Sequence, residues 1–109
     1  MKLPLDISFQ GVDRSEAVEE AVTRHAEKLD GLYPDIIRCR VSLVLDEKHK
    51  SQGKQFNVRI DVTIPGRELV SNNERNEDLY VALRDAFKDI TRMLEDTVRK
   101  QRDESRQSS

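Results

Sequence analysis

The sequence predicts an α+β fold: a two-layer βαβββα domain in which a four-stranded mixed sheet carries both helices on one face. Three observations predict it. Apolar residues alternate with polar ones at period two in three separate segments. Two longer segments repeat apolar residues at three- and four-residue steps, the signature of helices with one buried stripe. Short turn signals join the later strands, so they form an antiparallel meander, while the first strand reaches its neighbour through a helix and lies parallel to it.

The elements follow in order. Residues 5–10 place Leu5, Ile7 and Phe9 on one side and Asp6, Ser8 and Gln10 on the other, and Gly11 ends the strand. Asp13 with Glu16 has the spacing of a capping box. The helix that follows runs to about residue 30, with Val18, Ala21, Val22, His25 and Leu29 on its buried stripe, Gly31 just past its end and Pro34 preventing continuation. Residues 36–46 form the second strand, with Ile37, Cys39, Val41, Leu43 and Leu45 pointing inward. Residues 47–53 are a polar loop. Residues 54–64 form the third strand, with Phe56, Val58, Ile60, Val62 and Ile64 inward, the cleanest alternation in the chain. Pro65-Gly66 marks a turn, and residues 68–72 a short fourth strand. The last helix spans about residues 76–98, with Leu79, Ala82, Leu83, Ala86, Phe87, Ile90, Met93 and Leu94 in one apolar arc. The second sheet face, with Arg38, Arg40, Asn57, Arg59 and Thr63, is left open to water or a partner.

A chain of 109 residues is one domain, here residues 1–99, followed by a polar tail over 100–109 that has no apolar residue and is expected to fray. A single cysteine, Cys39, excludes an internal disulfide, and with only His25 and His49 available no metal-ligand spacing arises. No apolar run approaches a membrane span and no secretory leader precedes the first strand, so a cytoplasmic protein without membrane contact is expected. Glycine is scarce and no phosphate loop or nucleophile motif occurs. His25 reads as a packed histidine and Cys39 as a small hydrophobe. The expected protein is therefore not an enzyme and uses no cofactor.

Charge is where the sequence says more. The net charge is only −2, but it is unevenly spread: residues 13–35 carry three basic and seven acidic side chains, 36–67 seven and three, 68–96 four and eight. Winding the last helix at about 100° per residue gathers Arg84, Lys88, Arg92 and Arg99 in one exposed sector and Asp78, Asp85, Asp89 and Asp96 in the next. On the first helix Arg24 and Lys28 share a flank. One reading is a solvated face held by i,i+3 and i,i+4 ion pairs of a few tenths of a kcal/mol each. The other is a basic ridge for nucleic-acid phosphates, giving salt-dependent affinity without sequence specificity, for DNA included. The strands carry no outward-facing aromatic, so RNA contact is expected to be backbone-directed.

The opening of the last helix, Glu77-Asp78-Leu79-Tyr80-Val81-Ala82-Leu83, together with the helix end at residues 27–33 (EKLDGLY) and the strand at residues 56–66 (FNVRIDVTIPG), resembles the short ribosome hibernation factors, also called sigma-54 modulation or ribosomal subunit interface proteins. The resemblance covers residues 5 to about 102. It implies the same βαβββα order and a stress-deployed translation inhibitor. Such a protein binds the 30S subunit at the tRNA/mRNA channel, as a monomer, through 16S ribosomal RNA. Carried onto this sequence, the implied RNA-binding residues are Arg24, Lys28, Arg75, Arg84, Lys88, Arg92 and Arg99, with Lys48 and Lys50 as weaker candidates. The chain departs from the pattern where members carry a dense basic run: residues 89–100 here hold Asp89, Glu95 and Asp96 among the bases. The alternative reading is a protein-interaction module that retains the fold without ribosome binding.

Overall fold

In the computed structural model, which describes residues 3–46 and 54–107, the chain forms β1 (Leu5–Gln10), α1 (Glu16–Leu32), β2 (Arg38–Asp46), β3 (Gln55–Ile64), β4 (Arg67–Asn76) and α2 (Leu79–Gln107). The strands lie in the order β1-β2-β3-β4. β1 pairs parallel with β2, Leu5 opposite Cys39, and the other two pairings are antiparallel. The expected α+β fold is therefore the observed one. Each helix follows a strand of the same direction and packs back on the sheet, so α1 and α2 run side by side and parallel.

The core lies between the sheet and the two helices. Cys39, Val41, Leu43, Val58, Ile60 and Val62 are fully buried on the sheet, and Val22, Ala26, Leu83, Ala86, Ile90 and Leu94 face them from the helices. Burying one aliphatic side chain of this size stabilises the fold by about 1.5–3 kcal/mol. Burial pushes the Cys39 thiol up to about 12, with the Asp61 carboxylate adding, so it stays protonated and inert.

The details differ from the sequence expectation in five places. Ser15, not Asp13, caps α1: its backbone is extended (φ −134°, ψ 131°) and its Oγ accepts from the Val18 N–H at 3.5 Å. Glu16 then lies in the first turn with Glu19, where carboxylates complement the helix dipole. At the other end α1 runs through Gly31 to Leu32. Pro34 pushes the preceding Tyr33 out of helical geometry (φ −135°, ψ 81°), so no left-handed glycine cap is required. Ile37 precedes β2 with its side chain 52% exposed, and Ile36 is buried in its place.

β4 is twice the expected length, because residues 71–76, though polar, pair with β3. The pairing passes from Val58↔Glu74 to Ile60↔Ser71, so Asn72 and Asn73 together oppose Arg59 in a β-bulge. Ile64 and Arg67 close the hairpin across Pro65-Gly66, with Gly66 at φ 79°, a value that favours glycine.

α2 starts later and ends later than expected. Asn76 ends β4, and its Oδ1 accepts from the Asp78 N–H at 2.9 Å. Asp78 caps the helix by accepting from the Tyr80 N–H at 2.9 Å. The helix continues to Gln107, through the segment expected to fray. Extending an established helix adds one hydrogen bond per residue fixed, and Arg, Lys and Gln are good helix formers.

Candidate nucleic-acid interface

Because α1 and α2 run side by side, the residues one turn apart on each helix line a common groove. It encloses about 460 Å³, and its walls hold Lys28 from α1 and Arg84, Lys88 and Arg92 from α2. The i, i+4 spacing of the last three places them in one row. Among the described residues, Lys28, Lys88 and Arg92 have no carboxylate within ion-pair distance. Arg84 does: its Nε lies 3.3 Å from Asp85 Oδ1.

The groove floor is apolar. Phe87 and Leu29 are buried there, and the His25 ring stacks on Phe87 at 5.0 Å between centroids and 13° between planes. Leu32 stands at one end of the groove, 57% exposed. Thr91 donates its hydroxyl to the Phe87 carbonyl at 2.6 Å, which removes one polar hydrogen from the floor. Burial holds the His25 pKa below its ordinary value, with the Arg24 and Lys28 charges adding, so the ring is neutral at pH 7. Glu95, beside Leu32, is drawn toward Arg99 at 3.6 Å.

Behind Lys88 and Arg92 lies a small acidic recess formed by Glu74, Asp85 and Asp89. Asp89 accepts a hydrogen bond from the buried Ser71 Oγ at 2.7 Å, which ties α2 to β4. Lys88 and Arg92 line both this recess and the groove.

Of the residues expected in the interface, four meet in this groove: Lys28, Arg84, Lys88 and Arg92. Three do not. Arg24 lies on the outer side of α1 among Glu16, Glu19, Glu20 and Glu27. Arg99 is held by Glu95 at 3.6 Å and Asp96 at 4.0 Å on its own helix. Arg75, expected just before the last helix, is in β4 opposite Asn57 and points to the open sheet face. The bulge is the physical reason: one extra residue inverts which side chains face the helices. Lys48 and Lys50 lie outside the described residues. Tyr80, in the segment that opens the last helix, is 49% exposed at the start of α2. Sequence reading missed the stacked pair of His25 and Phe87, because no spacing along the chain connects two separate helices.

The open sheet face is chemically different. Arg38 donates to Asp6 from both Nε and a terminal nitrogen, at 3.2 and 2.9 Å, and Arg59 lies 3.0 Å from Asp61. Among the described residues no three His, Cys, Asp or Glu side chains converge as a metal site, and no helix is long and apolar enough to cross a membrane.

In backbone, the chain is similar to a ribosomal subunit interface protein from Coxiella burnetii, with a TM-score of 0.75 and 16% identity over 87% of this chain and 97% of that one. It is also similar to the N-terminal domain of Protein Y from Thermus thermophilus, with a TM-score of 0.64 and 22% identity over 85% and 94%. Among curated proteins none matches the sequence. Residues 5–102 match the family of the Sigma 54 modulation protein / S30EA ribosomal protein, and the chain belongs to that family.

Proposed function

We propose that this protein is a non-enzymatic translation inhibitor of the hibernation type. In this reading it binds the small ribosomal subunit in the cytoplasm under stress, as a monomer at the tRNA/mRNA channel, and contacts 16S ribosomal RNA through the α1–α2 groove. The observation that carries the reading is the row of Lys28, Lys88 and Arg92, contributed by two helices and left without carboxylate partners in a protein of net charge −2. Unpaired cations held on rigid helices are suited to phosphates, which they neutralise with release of counterions. Family membership and the ribosome-associated relatives of the same fold support it.

The test is co-sedimentation with 30S subunits and 70S ribosomes at low and moderate salt. Binding near one copy per 30S subunit, weakening with salt, is expected. Replacing Arg84, Lys88 and Arg92 together by Glu abolishes it while leaving the circular dichroism spectrum unchanged. Retention of ribosome binding by that variant refutes the groove assignment. Absence of binding by the wild-type chain at low salt refutes the ribosomal reading and favours a protein-interaction module on the same fold.

A further inference from the structure

The groove contains more than phosphate binding requires. Phosphates need cations and N–H donors. They gain nothing from an imidazole stacked on a phenyl ring, or from a leucine left 57% exposed. An apolar floor between cationic walls matches a nucleotide instead, with a flat face to cover and a charge on either side of it. Its volume, about 460 Å³, lies within the range of small-ligand sites.

We propose that the α1–α2 groove takes one unstacked base of single-stranded RNA. The base lies against His25 and Leu32, and its flanking phosphates lie on Lys28, Lys88 and Arg92. The inference rests on the RNA-binding reading above and narrows it from RNA backbone in general to RNA with a free base. The walls orient the strand. Glu95 stands at the Leu32 end, less than one turn beyond Arg92, and makes that end less favourable to phosphate, whereas Arg84 and Lys88 line the opposite stretch of α2. A duplex cannot use the floor, because its bases are already stacked and paired.

The test measures affinity of the full chain for three probes of equal phosphate number: a short single-stranded RNA, the same strand with abasic sites, and the same strand in a duplex. The intact single strand should bind on the order of tenfold more tightly than the abasic strand, the scale of one aromatic stacking contact. His25→Ala and Leu32→Ala should each bring that ratio toward one. Leu32 is exposed, so its variant folds even if removal of the His25 stack perturbs the helix pair. Equal affinity for intact and abasic strands overturns the proposal. So does a ratio unchanged by both variants, or preference for the duplex. If none of the probes binds but the chain still co-sediments with ribosomes, base docking is wrong and the ribosomal reading stands. If it neither binds the probes nor co-sediments, both fall.

Discussion

The two surfaces of this protein both carry arginines and lysines, and they differ in which of these cations stand beside a carboxylate. On the open sheet face, cross-strand geometry sets Arg38 beside Asp6, and Arg59 reaches Asp61 two residues along its own strand. Exposed pairs of this kind contribute only about 0.2–1 kcal/mol to stability, but they neutralise those two arginines locally, whereas Arg40 and Arg75 on the same face have no carboxylate within ion-pair distance among the described residues. In the helix groove Arg84 has such a partner in Asp85, and Lys28, Lys88 and Arg92, three cations converging from two helices, have none. The difference teaches that the number of cations is a poor guide to an anion-binding surface. What matters is whether the fold has already given each one a carboxylate.

That comparison can be broken most directly by charge reversal on each surface. Arg84, Lys88 and Arg92 changed to Glu should lower ribosome affinity on the order of 100-fold or more, since favourable phosphate contacts become repulsive. Arg38, Arg40 and Arg59 changed to Glu should lower it by less than about threefold, through long-range charge alone. Equal losses in a gradient assay would erase the distinction between the faces.

A smaller effect tests the unpaired state of the groove cations. Lys28→Ala should reduce the slope of log affinity against log salt by about one contact, whereas Arg99→Ala, already held by Glu95 and Asp96, should leave it nearly unchanged. Titrating binding across salt concentration checks both.

Stability offers a third comparison, between a tie behind the groove and one on the sheet face. Ser71→Ala removes the donor to Asp89 at a buried position and should cost about 1 kcal/mol in chemical unfolding. Asp6→Ala breaks the exposed pair with Arg38 and should cost less, about 0.5 kcal/mol. The reverse ranking would mean that the sheet face, not the β4–α2 tie, holds the fold.

His25 makes the groove pH-sensitive. Its pKa is lowered in the folded chain by burial and by Arg24 and Lys28 on its own helix, and the cationic Arg84 and Lys88 also line the groove from α2. The unfolded chain therefore binds a proton that the folded one resists. Stability is full above the ordinary value of 6.5 and declines as pH falls through it. Melting temperatures on either side of pH 6.5 should show this decline, and His25→Phe, which keeps a ring against Phe87, should flatten it. One further expected effect is a gain. Gly31 is helical and nothing lies near its missing Cβ, so Gly31→Ala should stabilise the protein by about 0.5–1 kcal/mol in the same assay.

Much of this protein was determined locally by its sequence. Alternation at period two in the strands and at three and four residues in the helices settled the order of elements, the buried faces and the row of Arg84, Lys88 and Arg92, because those periods are properties of the backbone itself. A capping acid before Leu79 and the Pro65-Gly66 turn are likewise local chemistry. Only the tertiary structure decided the rest. It carried β4 through a polar stretch, since the outer edge of β3 otherwise lacks hydrogen-bond partners. It inserted the bulge that sends Arg75 to the far face. It also brought α1 against α2, so that Lys28 joins the α2 row and His25 meets Phe87. Those three outcomes depend on contacts between different elements, and no periodicity within one segment encodes its partner.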